Sequence, residues 1–91
     1  MAADGTTPPK YDPMKVGHAL LSEVIEQHPA RLTVDELVLR VVAAPEDGRE
    51  VETATDAVRD LRRACLVRYR NDDELVEPTQ AALLAHALFA A

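Results

Sequence analysis

Apolar residues recur along the first third of the chain with the spacing of a helix. They are Val16, Leu20, Leu21, Val24 and Ile25, in which the i, i+4 interval dominates. Asp12-Pro13 is a favourable helix start, because Asp12 can accept a free backbone N–H and Pro13 has no N–H to leave unsatisfied. Pro29 disfavours helical backbone at the residue before it, so we predict that this helix ends near His28.

A second helix is indicated after a brief extended step at Arg31-Leu32. Thr33 and Glu36 have the spacing of a capping box, in which each side chain accepts the backbone N–H of the other residue. The apolar stripe of this helix is formed by Val34, Leu37, Val38, Val41 and Val42. Residues 45–49 read PEDGR and predict a turn.

The second half of the chain predicts a further helix, two strands and a last helix. These elements are a helix over 50–64, an alternating strand over 66–70, a turn at 71–73, a strand over 74–78 and a helix over 80–91 capped by Thr79. The predicted class is α+β, in the order helix, strand, helix, helix, strand, strand, helix. Residues 1–11 are predicted to be a flexible tail, and residues 12–91 a single domain.

This order, with the stretch ATDAVRDLRRACLVRYR and the acidic turn after it, resembles a winged helix-turn-helix domain of the bacterial transcriptional regulator type. The resemblance covers residues 14–90. The positions that match the family's spacing are Val58, Leu61, Ala64, Leu66, Val67 and Thr79. Three features depart from the family: Cys65 stands where glycine is usual, Asp56 lies on the side that would face DNA, and the turn over 72–74 is acidic.

The resemblance implies a small DNA-binding regulator whose third helix enters the major groove of double-stranded DNA. Thr53 and Thr55 would contact base edges or backbone, and Arg59 would make a bidentate contact to guanine. The contacts to phosphate would come from Arg49, Arg63, Arg68 and Arg70.

The charge balance supports a second hypothesis, in which an acidic surface binds another protein and no DNA. The chain has a formal net charge of -6, and no segment of it is a basic block. On the predicted third helix the charges are Glu50, Glu52, Asp56 and Asp60 against Arg49, Arg59, Arg62 and Arg63. Such a face is also typical of a solvated helix. Phosphate binding depends on Lys and Arg, so the sequence leaves both functions open.

No pattern indicates a catalytic, cofactor or metal site, so we expect neither an enzyme nor a cofactor. His18, His28 and His86 have no ligand-type residue three or four positions away, whereas structural zinc takes about four such ligands. Cys65 lies in an apolar stretch and is expected to be buried and unreactive. His18 and His86 are expected to be core or interface histidines.

Cysteine usage and hydropathy indicate the compartment. A single cysteine permits no internal disulfide, which favours a reducing cytoplasm. The sequence has no apolar run of about 18 residues and no signal-peptide pattern at its start, so no membrane partner is expected.

The last helix is apolar around almost its whole circumference. Its apolar lines are Leu84, Leu88 and Ala91, then Leu83, Ala87 and Ala90, with Phe89 on a further side. One domain covers only part of such a helix, so we predict a homodimer through the terminal helices, to which Leu21 and Ile25 would add. The alternative is that its own domain covers the helix and that residues 89–91 fray.

Overall fold

The computed structural model describes residues 8–70, 72 and 75–90, which form four α-helices and a three-stranded antiparallel sheet. In chain order the elements are α1 (Pro13–Gln27), β1 (Leu32–Thr33), α2 (Val34–Val41), α3 (Gly48–Arg63), β2 (Val67–Arg70), β3 (Leu75–Pro78) and α4 (Gln80–Ala90). The predicted α+β class and the order of its elements are confirmed. Positions 71, 73 and 74 of the predicted turn and second strand lie outside the described residues, as does residue 91. None of the described helices has the length and apolar character needed to span a bilayer.

Local hydrogen bonds start α1 and α2 as the sequence predicts. Asp12 Oδ1 accepts the backbone N–H of Met14 at 3.0 Å. At α2 the Glu36 N–H donates to Thr33 Oγ1 at 3.0 Å, and the Thr33 N–H donates to Glu36 Oε1 at 2.9 Å. The predicted capping box is therefore present. Such caps satisfy backbone donors that a helix start leaves free, and each is worth about 1 kcal/mol.

Asp47 caps α3 and also anchors the segment before α1. The helix begins at Gly48, slightly before its predicted start, because Asp47 Oδ1 accepts two backbone N–H groups of the first turn at 3.0 and 3.3 Å. Asp47 Oδ2 accepts the Tyr11 hydroxyl at 2.6 Å. Tyr11 belongs to a 3-10 helix (Pro9–Tyr11), so this part of the predicted tail is docked on α3. Residues 1–7 lie outside the described residues.

Glu50 was expected to lie among the exposed charges of the third helix, but it is buried. The residue is 4% exposed, and its carboxylate accepts the N–H groups of Ala43 at 2.8 Å and Ala44 at 3.0 Å. A carboxylate is tolerated away from water when such donors replace its hydration. Glu50 therefore holds the turn between α2 and α3 and adds nothing to the charged surface of α3.

α3 ends in a Schellman turn built on a left-handed cysteine. Cys65 has a φ of 61°, its N–H donates to Arg62 O at 3.0 Å, and the Leu66 N–H donates to Leu61 O at 2.9 Å. A non-glycine residue in this conformation costs roughly 1–2 kcal/mol. Cys65 is exposed, so the prediction of a buried cysteine is wrong, because the residue lies in the turn that leaves α3.

Thr79 joins this turn to α4. Its hydroxyl donates to Cys65 O at 2.7 Å and accepts the Ala82 N–H at 3.2 Å. Its backbone N–H donates to Leu66 O at 3.1 Å. The predicted helix cap at Thr79 is confirmed, and the same side chain closes the connection between α3 and β2.

The sheet places β3 between β1 and β2. Val67 and Val76 are buried, whereas Arg68, Arg70 and Glu77 occupy the alternate positions and so lie on the outer face. The largest fully buried side chains of the core are Leu20, Leu37, Val24, Val58, Val67 and Val76. The core thus lies between the helices and the inner face of the sheet, which leaves the second half of α3 and the hairpin accessible at the surface.

Candidate nucleic-acid interface

Three arginines of the last turns of α3 meet the ring of Tyr69 in an open cleft. The cleft has a volume of about 400 Å³ and is lined by Arg59, Arg62, Arg63 and Tyr69. Positions 59, 62 and 63 are spaced i, i+3 and i+4, which puts them on one face of the helix. The Arg62 guanidinium lies 4.4 Å from the centre of the Tyr69 ring, a cation–π contact that ties α3 to β2.

Two of these arginines have a carboxylate on their own helix. Arg59 Nη1 lies 3.1 Å from Asp56 Oδ1, and Arg63 Nη1 lies 3.4 Å from Asp60 Oδ1. All four side chains are more than half exposed. Exposed pairs of this kind are worth about 0–1 kcal/mol. The guanidinium groups can therefore turn toward an external anion at little cost.

Arg68 and Arg70 share one carboxylate on the outer face of the sheet. The Nε atom of each lies 2.9 Å from an oxygen of Glu77. Burial alone would raise the pKa of Glu77, but the hydrogen bonds from the two guanidinium groups outweigh it and hold the pKa below its usual range.

Arg31 is a third member of this group, and the sequence did not indicate it. Its Nε lies 3.4 Å from Glu77 Oε1. Leu32 pairs with Val76, so Arg31 comes opposite Glu77 only when β1 has been placed beside β3. Three cations thus surround one carboxylate, and the outer face of the sheet is positively charged at this point.

The first half of α3 offers a different surface. Thr53 Oγ1 donates to Arg49 O at 2.8 Å, and Thr55 Oγ1 donates to Val51 O at 2.9 Å, so both hydroxyls are bonded to their own helix. Glu52 and Asp56 are exposed beside them. Thr53 and Thr55, two of the three positions predicted to touch bases, thus lie on an acidic stretch, whereas Arg59 lies in the arginine cleft.

Arg49 lies apart from the other predicted DNA-contact arginines. Its guanidinium stacks over the Tyr11 ring at 4.0 Å. Along α3 the fourteen-residue step from Arg49 to Arg63 corresponds to about 21 Å. The hydrogen bond from Tyr11 to Asp47 lowers the pKa of that carboxyl. The structure thus places Arg59 and Arg63 in the cleft beside Tyr69, Arg68 and Arg70 on the outer face of the sheet, and Arg49, Thr53 and Thr55 in the first half of α3.

Two of the three histidines line an apolar groove at the surface. His18 and His86 are exposed and face a groove between α1 and α4, so the core alternative for them is wrong. Within the described part of the chain no three His, Cys, Asp or Glu side chains are grouped as metal ligands.

Comparison of the chain with protein-family models, with curated proteins and with solved structures gives no match.

Proposed function

We propose that this protein is a winged helix-turn-helix protein that binds duplex DNA chiefly through phosphate contacts. The support for the fold is the pair α2 and α3 with its turn pinned by Glu50, followed by the β2–β3 hairpin and a closing helix. The single observation that carries the function is the arginine cleft between the end of α3 and β2.

The cleft suits a phosphate backbone better than it suits base reading. Guanidinium groups bind phosphate oxygens in a bidentate manner, and Arg59 and Arg63 are held by exposed pairs that are easily exchanged. Arg68 and Arg70 supply a second group of guanidinium groups, on the outer face of the sheet. Base-specific contacts would be few, because Asp56 is exposed near the middle of α3 and accepts hydrogen bonds only, as from a cytosine amino group.

The net charge of -6 sets the expected behaviour. Duplex DNA is repelled by the molecule at long range, so binding depends on the local arginine surface. We expect affinity that falls steeply with salt and varies little with sequence.

A second candidate is a protein-interaction module that binds a basic partner and no DNA. Its support is the exposed pair Glu52 and Asp56, together with the exposed Asp72 in the β2–β3 turn. Carboxylates at both places suit a lysine- or arginine-rich surface, and Asp56, which pairs with Arg59, adjoins the arginine cleft.

The test is a salt series of binding to random-sequence duplex DNA, measured by fluorescence anisotropy. We expect measurable binding at low salt, with a slope of log K against log salt of about -0.9 for each phosphate contacted. The double variant Arg59→Gln/Arg63→Gln should weaken binding to all sequences and make the slope shallower by about two contacts.

The matched control is Arg40→Gln, because Arg40 is also exposed and paired with a carboxylate, Glu23 Oε2 at 3.3 Å, but lies on α2. It should change the affinity only slightly. Absence of binding at low salt, or equal losses in the double variant and the control, would contradict the proposal. Capture of a basic peptide by the Glu52–Asp56 surface, with no DNA bound, would favour the second candidate.

A further inference from the structure

α4 exposes large apolar side chains that its own domain does not cover. Leu84 is 60% exposed, Leu88 66% and Phe89 88%. Residues 80–90 contain no Asp, Glu, Lys or Arg, although 29% of the whole chain is charged. A helix of this composition is stable in water only when its apolar surface is covered.

Two apolar grooves adjoin on the same side of the molecule. The first lies between α1 and α4, and the second lies between α1 and α3. They share His18, Leu21 and Leu66. The second groove has a volume of about 410 Å³ and is otherwise lined by Pro13, Met14, Gly17, Ala57, Asp60, Leu61 and Ala64. An apolar cavity of about 150 Å³ admits a benzene ring, so this groove has room for the side chain of a phenylalanine.

Gly17 is the feature of this groove that the isolated chain does not explain. Glycine in the middle of a helix is less stable than alanine. A Cβ atom at position 17 would meet no atom within 4 Å, so nothing in the described chain requires its absence. A glycine without an internal reason is what a close approach to α1 from outside would need.

We propose that two copies of this chain pair reciprocally, with Phe89 of each copy seated beside Gly17 in the α1–α3 groove of the other. The same surface carries both the projecting side chain and the groove that receives it. A two-fold interface needs such self-complementarity, since each patch meets its own copy. The pairing does not depend on DNA binding.

Charge does not oppose a second copy at this surface. Two chains of net charge -6 repel each other least where acids are absent, and α4 is such a place. Of the residues that line the groove, Asp60 alone carries a full charge, and it is paired with Arg63. A lipid surface is a poor alternative, because α4 has no Lys or Arg to contact anionic headgroups.

The first test is sedimentation equilibrium over a range of concentrations. We expect twice the mass of the chain, and a dissociation constant raised at least about tenfold by Phe89→Glu and by Gly17→Leu. Gly17→Leu fills the groove, and its melting temperature should show that the fold is intact. The control is Leu39→Glu, because Leu39 is also an exposed leucine, 56% accessible, but lies on α2; it should leave the mass unchanged.

The second test places single cysteines at positions 14 and 89 of separate chains, in a background of Cys65→Gly. On oxidation of a mixture, the Met14→Cys/Phe89→Cys disulfide should exceed either homodimeric product, because Met14 lines the groove that receives Phe89. A monomer at every concentration would overturn the proposal. The proposal would also fail if the dimer survived both Phe89→Glu and Gly17→Leu. It would fail as well if the disulfide between two Phe89→Cys chains predominated.

Discussion

α3 and α4 are successive helices, separated along the chain by the β2–β3 hairpin, and they differ in how much of their apolar surface the chain itself covers. α3 has five buried residues, a cap at its start from Asp47 and a closed turn at its end, and its charges are paired at Asp56–Arg59 and Asp60–Arg63. α4 has hydrogen bonds from Thr79 at its first turn and buries Ala82, while Leu84, Leu88 and Phe89 are exposed. The difference shows that the described chain covers the apolar face of α3 but leaves the large apolar side chains of α4 exposed to solvent.

The largest effect should come from removing the internal anchor of α3. Glu50→Ala should lower the free energy of unfolding by about 2–3 kcal/mol, because the backbone N–H groups of Ala43 and Ala44 lose the carboxylate that accepts them and the turn between α2 and α3 loses its anchor. Urea denaturation followed by circular dichroism measures this. Glu52→Ala is the control, since Glu52 is exposed on the same helix. Equal effects of the two changes would show that Glu50 does not hold the turn.

The next largest effect on stability should come from Thr79, which connects the end of α3 to the start of α4. Thr79→Ala removes the cap of α4 and the bond to Cys65 O, so we expect a loss of about 1–2 kcal/mol in stability. Thr53→Ala, which removes a hydroxyl bonded within one helix, should change stability by less than about 0.5 kcal/mol. Hydrogen exchange should show faster opening of α4 in Thr79→Ala, and protection equal to the unmodified chain would speak against this joint.

A substitution at Cys65, in the turn at the end of α3, should increase stability where the changes above decrease it. Cys65→Gly should raise stability by about 1 kcal/mol, because glycine adopts a φ of 61° without the clash of a Cβ atom. Cys65→Val should lower it, since a β-branched residue is disfavoured in this conformation. Thermal melting of the two variants gives the comparison, and a destabilised glycine variant would contradict the role assigned to the backbone here.

Glu77, on the sheet, should make a smaller contribution to the free energy of unfolding, and this contribution should depend on pH. Its pKa is lower in the folded protein than its ordinary value of 4.5, so the folded state binds this proton less tightly than the unfolded state. The stabilisation is therefore fully present above pH 4.5 and is lost as the pH falls through the folded pKa. Glu77→Gln should remove that part of the acid sensitivity in denaturation curves, and unchanged pH dependence would count against it.

The smallest effect should come from the outer side of α4. Leu88→Ala should change the stability of the monomer by less than about 0.5 kcal/mol, because the side chain is 66% exposed. Val58→Ala in α3, where the side chain is fully buried, should cost about 1–3 kcal/mol. Measurement at low protein concentration separates folding from association. A large loss in Leu88→Ala there would mean that α4 packs on its own domain.

Features set by neighbours in sequence were predictable. Asp12-Pro13, the Thr33–Glu36 box and Thr79 act on backbone groups within three residues, so their types and spacing were sufficient. The buried stripe of α1 was predictable for the same reason.

Features that depend on contacts between residues distant in sequence could not be predicted. The carboxylate of Glu50 accepts the N–H groups of Ala43 and Ala44 only when the turn after α2 packs against it. From its charge alone, Glu50 was predicted to be exposed. Arg31 reaches Glu77 across a strand pair that joins residues far apart in sequence. The arginines of the candidate site were predictable as a group, but the cleft was not, because it needs Tyr69 of β2 to lie under Arg62 of α3.

Thr79 joins two helices through a single side chain. One hydroxyl group both receives the first turn of α4 and holds the carbonyl of Cys65, two residues beyond Arg63. The start of α4 is therefore linked to the backbone that follows the arginines of α3 by hydrogen bonds, and not through side chains of the hydrophobic core.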